Sequence, residues 1–322
     1  SNVLEAMAGW IRPDLPTVEF EMEEPSLQNL TDAVRSKKTK CAPGMNGIPY
    51  LVYKKCPELL ESLLLIFKRV WKEKVVPQRW QCGFIILIPK ATTKDTSDPG
   101  EFRPITMLNS EGRLFFTLME WRLTTYMTSN GYIDAKIQKG FMPKVAGCVE
   151  HSETAYRGIL DAKQYKQDLC ISWVDLANAY GSVKHSLIHF ALEWYHVPKH
   201  YRELIFKYYE RLMARVMVPG AALSAWFWFS KGVFQGCTLS TVLFNTAFNT
   251  SFAHMDVVKP QCDYIFQGRV RKINLRLMLS GYADDVCVMT GSRPGISAAK
   301  NNETVLKRLE EWLSWSQSMK AK

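Results

Sequence analysis

The chain has 322 residues, 47% of them hydrophobic, a formal net charge of +10 and eight cysteines. That apolar content supports a folded protein of two or three subdomains and excludes a disordered tail. No apolar run reaches the roughly 20 residues that cross a bilayer, no signal-peptide pattern opens the chain, and scattered cysteines with no Cys-x-x-Cys pair read as reduced thiols of an intracellular protein.

In chain order, an acidic opening (Glu19, Glu21, Glu23, Glu24) precedes a short helix over Ser26 to Arg35, with Ser26 as its cap. A turn-rich stretch, Cys41 to Ile48, leads to a helix opened by Pro57, with Leu60, Leu63, Leu64, Phe67 and Trp71 at helical spacing. Gly83 to Pro89 reads as a buried strand, and Phe102 to Ile105 as its hairpin partner beyond a polar loop. A long helix is expected over Asn109 to Thr128. Leu169 to Val174 reads as a buried strand ending on Asp175. Helices follow over Ser182 to Tyr195 and from Pro198, with an aromatic strand at Trp226 to Phe229 and a helix over Leu239 to His254. Tyr264 to Val270 and Lys272 to Leu279 are β-like and basic, Gly281 to Asp285 is the turn of a hairpin continuing to Met289, and Thr304 to Trp315 is a last helix. Separate helices around a small antiparallel sheet make an α+β pattern.

Three stretches carry chemistry. In Ser280-Gly-Tyr-Ala-Asp-Asp285, Asp284 and Asp285 sit between apolar runs. Adjacent like charges in a tight turn repel, and a divalent cation would relieve them; a solvated β-turn is the plain alternative. In Trp173-Val-Asp-Leu-Ala-Asn-Ala-Tyr180, Asp175 is either a helix-entry residue or a third ligand, since two-metal phosphoryl transfer draws acids from separate strands. In Gly232-Val-Phe-Gln-Gly-Cys-Thr-Leu-Ser240, Gly236 and its neighbours form either a simple loop and cap or a backbone that approaches a nucleotide, with Gln235 as polar reader. His185/His189 and His196/His200 share a spacing zinc sites use, but no acid or cysteine stands at ligand spacing, so they read as core or surface histidines.

In this order the three stretches resemble the reverse transcriptase family, with a match close to that of non-LTR (LINE-like) retrotransposons. Asp175 with Tyr180 is similar to its first palm motif, Gly232 to Ser240 to its central motif, and Tyr282 to Asp285 to its Tyr-x-Asp-Asp motif. Phe102-Arg-Pro-Ile105 and Gln138-Lys-Gly-Phe141 resemble finger motifs, and Pro43 to Ile48 an N-terminal motif shared with group II intron enzymes. The resemblance implies a polymerase fingers and palm, with an N-terminal extension over 1–25, mainly fingers over 26–168 and mainly palm over 169–322. The chain then stops inside what resembles the next palm motif, so the expectation is a fragment of a retrotransposon-type polyprotein with the thumb absent.

The same resemblance implies an RNA-directed DNA polymerase. It would use an RNA template, a DNA primer and dNTPs, without a membrane, in the nucleus where insertion would occur. Asp175, Asp284 and Asp285 would hold two Mg2+ ions, with Mn2+ able to substitute. Tyr180 would be the gate against a ribose 2′-OH, and Gln235 and Gly236 would lie beside the incoming nucleotide. Lys90 and Arg103 would grip its triphosphate, which needs fixed positive charge; for Lys90 a solvated loop lysine is the alternative. The basic Arg269, Arg271, Lys272 and Arg276 are expected on nucleic-acid backbone. Gly181, Thr241 and Asn46 depart from the family pattern, where an acid, Pro and Asp are common. An RNA-directed RNA polymerase is the enzymatic rival, opposed by the bulky Tyr180. A catalytically silent RNA-binding scaffold is the other, opposed by three intact aspartates.

Overall fold

The computed structural model describes residues 9–90, 97–143, 145, 147–218, 220, 222–268, 276–318 and 320–321. Strands in chain order are β1 (Cys82–Pro89), β2 (Phe102–Met107), β3 (Leu169–Val174), β4 (Leu176–Ala177), β5 (Met213–Met217), β6 (Phe227–Trp228), β7 (Tyr264–Ile265), β8 (Arg276–Leu277), β9 (Leu279–Tyr282), β10 (Asp285–Gly291) and β11 (Lys320–Ala321). With the helices between them, they make an α+β protein.

The chain divides into two compact units, residues 1–15, 127–195 and 244–322 in one and 16–126 with 196–243 in the other. Each unit is built from stretches that are separate in sequence. The chain changes unit within the helices Ser110–Ser129 and Thr238–Asp256 and at the turn after the helix His185–Trp194. Residues 127–168 and Asp175 fall in the same unit.

In the second unit the sheet runs β2-β1-β5-β6, with β1 antiparallel to β2 and parallel to β5. The helix Leu27–Ser36 starts on a reciprocal cap, Ser26 Oγ accepting from Asn29 N and Asn29 Oδ1 accepting from Ser26 N. The helix Glu58–Glu73 buries Leu60, Leu63, Phe67, Val70 and Trp71, while Leu64 is only half-buried. Phe67, Trp80, Phe115 and Phe116 meet edge-on or tilted at 5.1 to 5.7 Å, and Phe116 packs on Tyr208 at 4.1 Å, so large rings fill this core.

In the first unit the sheet runs β3-β10-β9, all antiparallel, with β11 on β4 and β7 on β8 in two-stranded ladders. The helix Ala298–Ser316 covers one face of the three-stranded sheet. Its Asn302 accepts from Ser172 Oγ at 2.6 Å, and its Trp312 Nε1 donates to Thr250 Oγ1 at 3.0 Å. The helix Val149–Tyr165, unexpected from sequence, packs Ala162 and Ala155 against Tyr264, Phe266, Met289, Leu169 and Ile171 on the opposite face. That cover stops short of the end of β3. The strand expected to be buried is therefore half-buried, and Trp173 is 71% exposed two residues before Asp175.

Candidate active site

β3 and β10 fix the three aspartates. Their ladder runs from Leu169↔Gly291 to Val174↔Val286. One further step in the same register sets Asp285 opposite Asp175, at the point where β3 gives way to the link into β4. On the other side of β10, Asp285 pairs with Tyr282, so the turn consists of Ala283 and Asp284 alone. The turn is shorter than the Gly281–Asp285 segment expected from sequence because β9 keeps its pairing through Tyr282. Ala283 adopts φ +56°, the left-handed region that closes such a tight reversal but costs a residue bearing a Cβ.

Electrostatics report the crowding. The Asp285 carboxyl is pushed above the usual carboxylate range by burial and then by the charge of Asp175. Carboxylates that face each other across the ladder form the kind of all-oxygen donor set that a hard divalent cation would relieve, and Asp284 adds a third from the turn. Among the described residues, no three His, Cys, Asp or Glu side chains are already drawn into a single metal-holding group. The chemistry of the donor set fits divalent ions.

Tyr180 enters through the short helix Ala179–Ser182, which follows Asn178 in a left-handed conformation, φ +47°. Its ring stacks on Phe244 at 4.5 Å and 12°, and Phe141 meets it edge-on at 6.4 Å. Its hydroxyl is buried without a hydrogen-bond partner. Burial, and next the Asp284 charge, push its pKa up, so the group stays a neutral phenol. Gly181 lies under Asn178, whose amide a Cβ would meet at 2.6 Å.

Lys90, Arg103, Gln235 and Gly236 are gathered in the other compact unit. Gln235 O accepts from Thr106 N of β2 at 2.6 Å, and Gly236, at φ +122°, lies so close that a Cβ would stand 2.5 Å from Thr106 O. Arg103 is exposed on the same strand. Lys90 Nζ donates to Gly100 O at 2.6 Å. Of the basic stretch, Arg269, Arg271 and Lys272 lie outside the described residues, and Arg276 is placed only as backbone in β8.

Sequence reasoning missed two side chains. Gln138, read only as part of a finger-like motif, bonds to the backbone of Ala283 in the Asp284 turn. Asn46 Nδ2 donates to both oxygens of Glu111, at 2.9 and 3.1 Å, which explains an amide where Asp is common in the family pattern. No local signal singled out Gln138, which stands between Lys136 and Lys139, and nothing local pointed from Asn46 to Glu111.

Comparison with known proteins settles the family. The sequence profile described as reverse transcriptase (RNA-dependent DNA polymerase) matches residues 88–320, the span holding all the motifs above except the Pro43 to Ile48 turn. The chain belongs to the reverse transcriptase family. It is 27% identical over 309 residues to the "Probable RNA-directed DNA polymerase from transposon X-element" of Drosophila melanogaster, an alignment covering 94% of this chain and 31% of that protein. The "Probable RNA-directed DNA polymerase from transposon BS" of the same organism is 25% identical over 322 residues, 97% of this chain and 32% of its own length. The "RNA-directed DNA polymerase from mobile element jockey", also of Drosophila melanogaster, is 24% identical over 298 residues, 91% and 31% of the two chains. The chain spans about a third of the length of these curated relatives.

Proposed function

We propose that this domain extends a DNA primer on an RNA template by adding dNTPs, within a fingers-and-palm arrangement. The observation that carries the reading is the β3–β10 register that sets Asp285 opposite Asp175 beside the Asp284 turn. Asp175, Asp284 and Asp285 would hold two divalent ions, Mg2+ with Mn2+ as substitute. When bound, such ions stabilise the attacking and leaving oxygens of an in-line displacement. The Tyr180 ring, held by Phe244, blocks the space a ribose 2′-OH would fill. Gln235 and Gly236 present backbone and amide to the nucleotide. Arg103 and Lys90 supply fixed positive charge for its phosphates. Arg269, Arg271, Lys272 and Arg276 contact nucleic-acid backbone, so neutralising two of them flattens the dependence of log affinity on log salt. The deciding experiment is Mg2+-dependent primer extension on an RNA template with dNTPs against rNTPs. Extension with dNTPs and not rNTPs supports the reading; a preference for rNTPs moves it to an RNA-directed RNA polymerase, and no extension by parent chain in any metal favours a silent scaffold.

A further inference from the structure

The Asp284 turn is gripped from behind by one side chain. Gln138, 1% exposed, uses both ends of its amide on that turn. Its Oε1 accepts from Ala283 N at 2.8 Å and from Gly140 N at 2.8 Å, while its Nε2 donates to Ala283 O at 3.0 Å. Both backbone polar groups of Ala283 are thereby satisfied while the residue is held at φ +56°. Around this grip, Lys139 N donates to Gly281 O and Gly281 N to Ile137 O, so residues 137–139 lie along the start of the hairpin as a short parallel bridge. The strap is itself anchored. Asn245 Nδ2 donates to Gly140 O at 2.7 Å, and His151 Nε2 bonds to Ile137 O at 2.8 Å. Gly140 approaches the turn so closely that a Cβ would stand 2.1 Å from Ala283 N.

An amide accepts from N–H groups and donates to a carbonyl at once whatever the pH; an ionised carboxylate lacks the donor, and an aliphatic chain lacks both. The two residues that follow Ala283 are Asp284, in the turn, and Asp285, the first of β10. We infer that Gln138 is a positioning residue of the polymerase site, fixing Ala283 and through it the directions in which Asp284 and Asp285 present their carboxylates. The inference rests on the proposed role of those aspartates.

The test compares Gln138→Leu, Gln138→Glu and Asp284→Ala with the parent chain. The readouts are kcat and the dNTP KM in primer extension, and Mn2+ affinity by water-proton relaxation without nucleic acid. Loss of all three bonds in Gln138→Leu lowers kcat about 100-fold, the cost of misplacing reacting groups by about 1 Å, and leaves the dNTP KM within about threefold. Mn2+ affinity falls about 10-fold or more, as when an outer partner of a metal ligand is removed. Gln138→Glu keeps the size and the two acceptor bonds but loses the donor, so it falls between Leu and parent; it also decides the matter if the Leu variant does not fold. Parental kcat and Mn2+ affinity in a folded Gln138 variant, with Asp284→Ala inactive, overturn the inference and leave the polymerase reading standing. Full turnover in Asp284→Ala overturns the reading itself, and the inference with it.

Discussion

Asp285 stands one register step beyond the Val286–Val174 pair of β10 and β3, which brings it face to face with Asp175. Burial and that neighbouring charge raise the Asp285 pKa above its unfolded value. The folded state therefore binds this proton more tightly than the unfolded state. The contribution of the group to stability is fully present below the unfolded carboxylate pKa of about 3.9, and it is lost as pH rises through the raised folded value. Asp285→Asn removes the repulsion and is expected to be slightly more stable than the parent at pH 7 without added metal. Because Asp285 is exposed to solvent, screening holds the gain to about 0.5 kcal/mol or less. Urea unfolding between pH 4 and 7 checks it. The difference should shrink towards pH 4, and Mg2+ should raise the parent's midpoint more than the variant's.

Single replacement of Asp175, Asp284 or Asp285 by Ala is expected to cut nucleotide addition about 10³-fold or more, the loss of several kcal/mol of charge stabilisation in the transition state. None of the three is a core-packing residue; Asp175 and Asp285 are exposed and Asp284 half-buried. Circular dichroism and melting temperature should therefore match the parent. Near-normal extension by Asp284→Ala would remove that residue from the site.

Tyr180→Val opens the space under the ring and is expected to raise the rNTP-to-dNTP ratio of kcat/KM by about 10-fold or more, the scale of a changed apolar pocket. Tyr180→Phe separates gate from hydroxyl. The ring stack on Phe244 stays, and the lost hydroxyl had no partner. Sugar selectivity should be unchanged, with stability the same within about 0.5 kcal/mol or slightly higher. Equal selectivity in Tyr180→Val and the parent would count against the gate.

Gly236→Ala meets two obstacles, a φ of +122° that residues with a Cβ rarely adopt and the Thr106 carbonyl at 2.5 Å. Relief requires the Gln235–Gly236 loop to lift from β2, breaking the 2.6 Å bond from Thr106 N to Gln235 O. The expected cost is about 1–3 kcal/mol of stability, with a higher dNTP KM and a smaller change in kcat. Steady-state kinetics that move kcat alone would place the loop away from the nucleotide.

Asn46→Asp restores the residue common in the family pattern, yet it should destabilise this chain. It turns two hydrogen bonds to Glu111 into a repulsion between half-buried carboxylates, at a cost of about 1–3 kcal/mol. Glu111→Gln in the same chain should recover most of the loss, and the coupling is read from a double-mutant cycle of urea midpoints. Additive effects would show that the pair does not interact.

What the sequence determined by itself was local. Periodicity and punctuation located the Leu27–Ser36 helix with its Ser26 cap, the β1–β2 hairpin, the strand ending at Asp175 and the hairpin bearing Asp284, because these patterns act within one or two turns of chain. The order of the motifs carried the family. The helix Val149–Tyr165 was not legible: it carries Gly158 and many polar residues, and its support comes from Tyr264, Phe266 and Met289, more than a hundred residues away. Nor was β5, whose apolar run is broken by Arg215 and which exists as a strand by pairing with β1. Tertiary structure alone decided the register that sets Asp285 against Asp175, the interleaving of the two units, and the grip of Gln138 on Ala283 across 145 positions of sequence. Propensity is a property of neighbouring residues, whereas a ladder register or a side chain satisfying a distant backbone group depends on which surfaces the folded chain packs together.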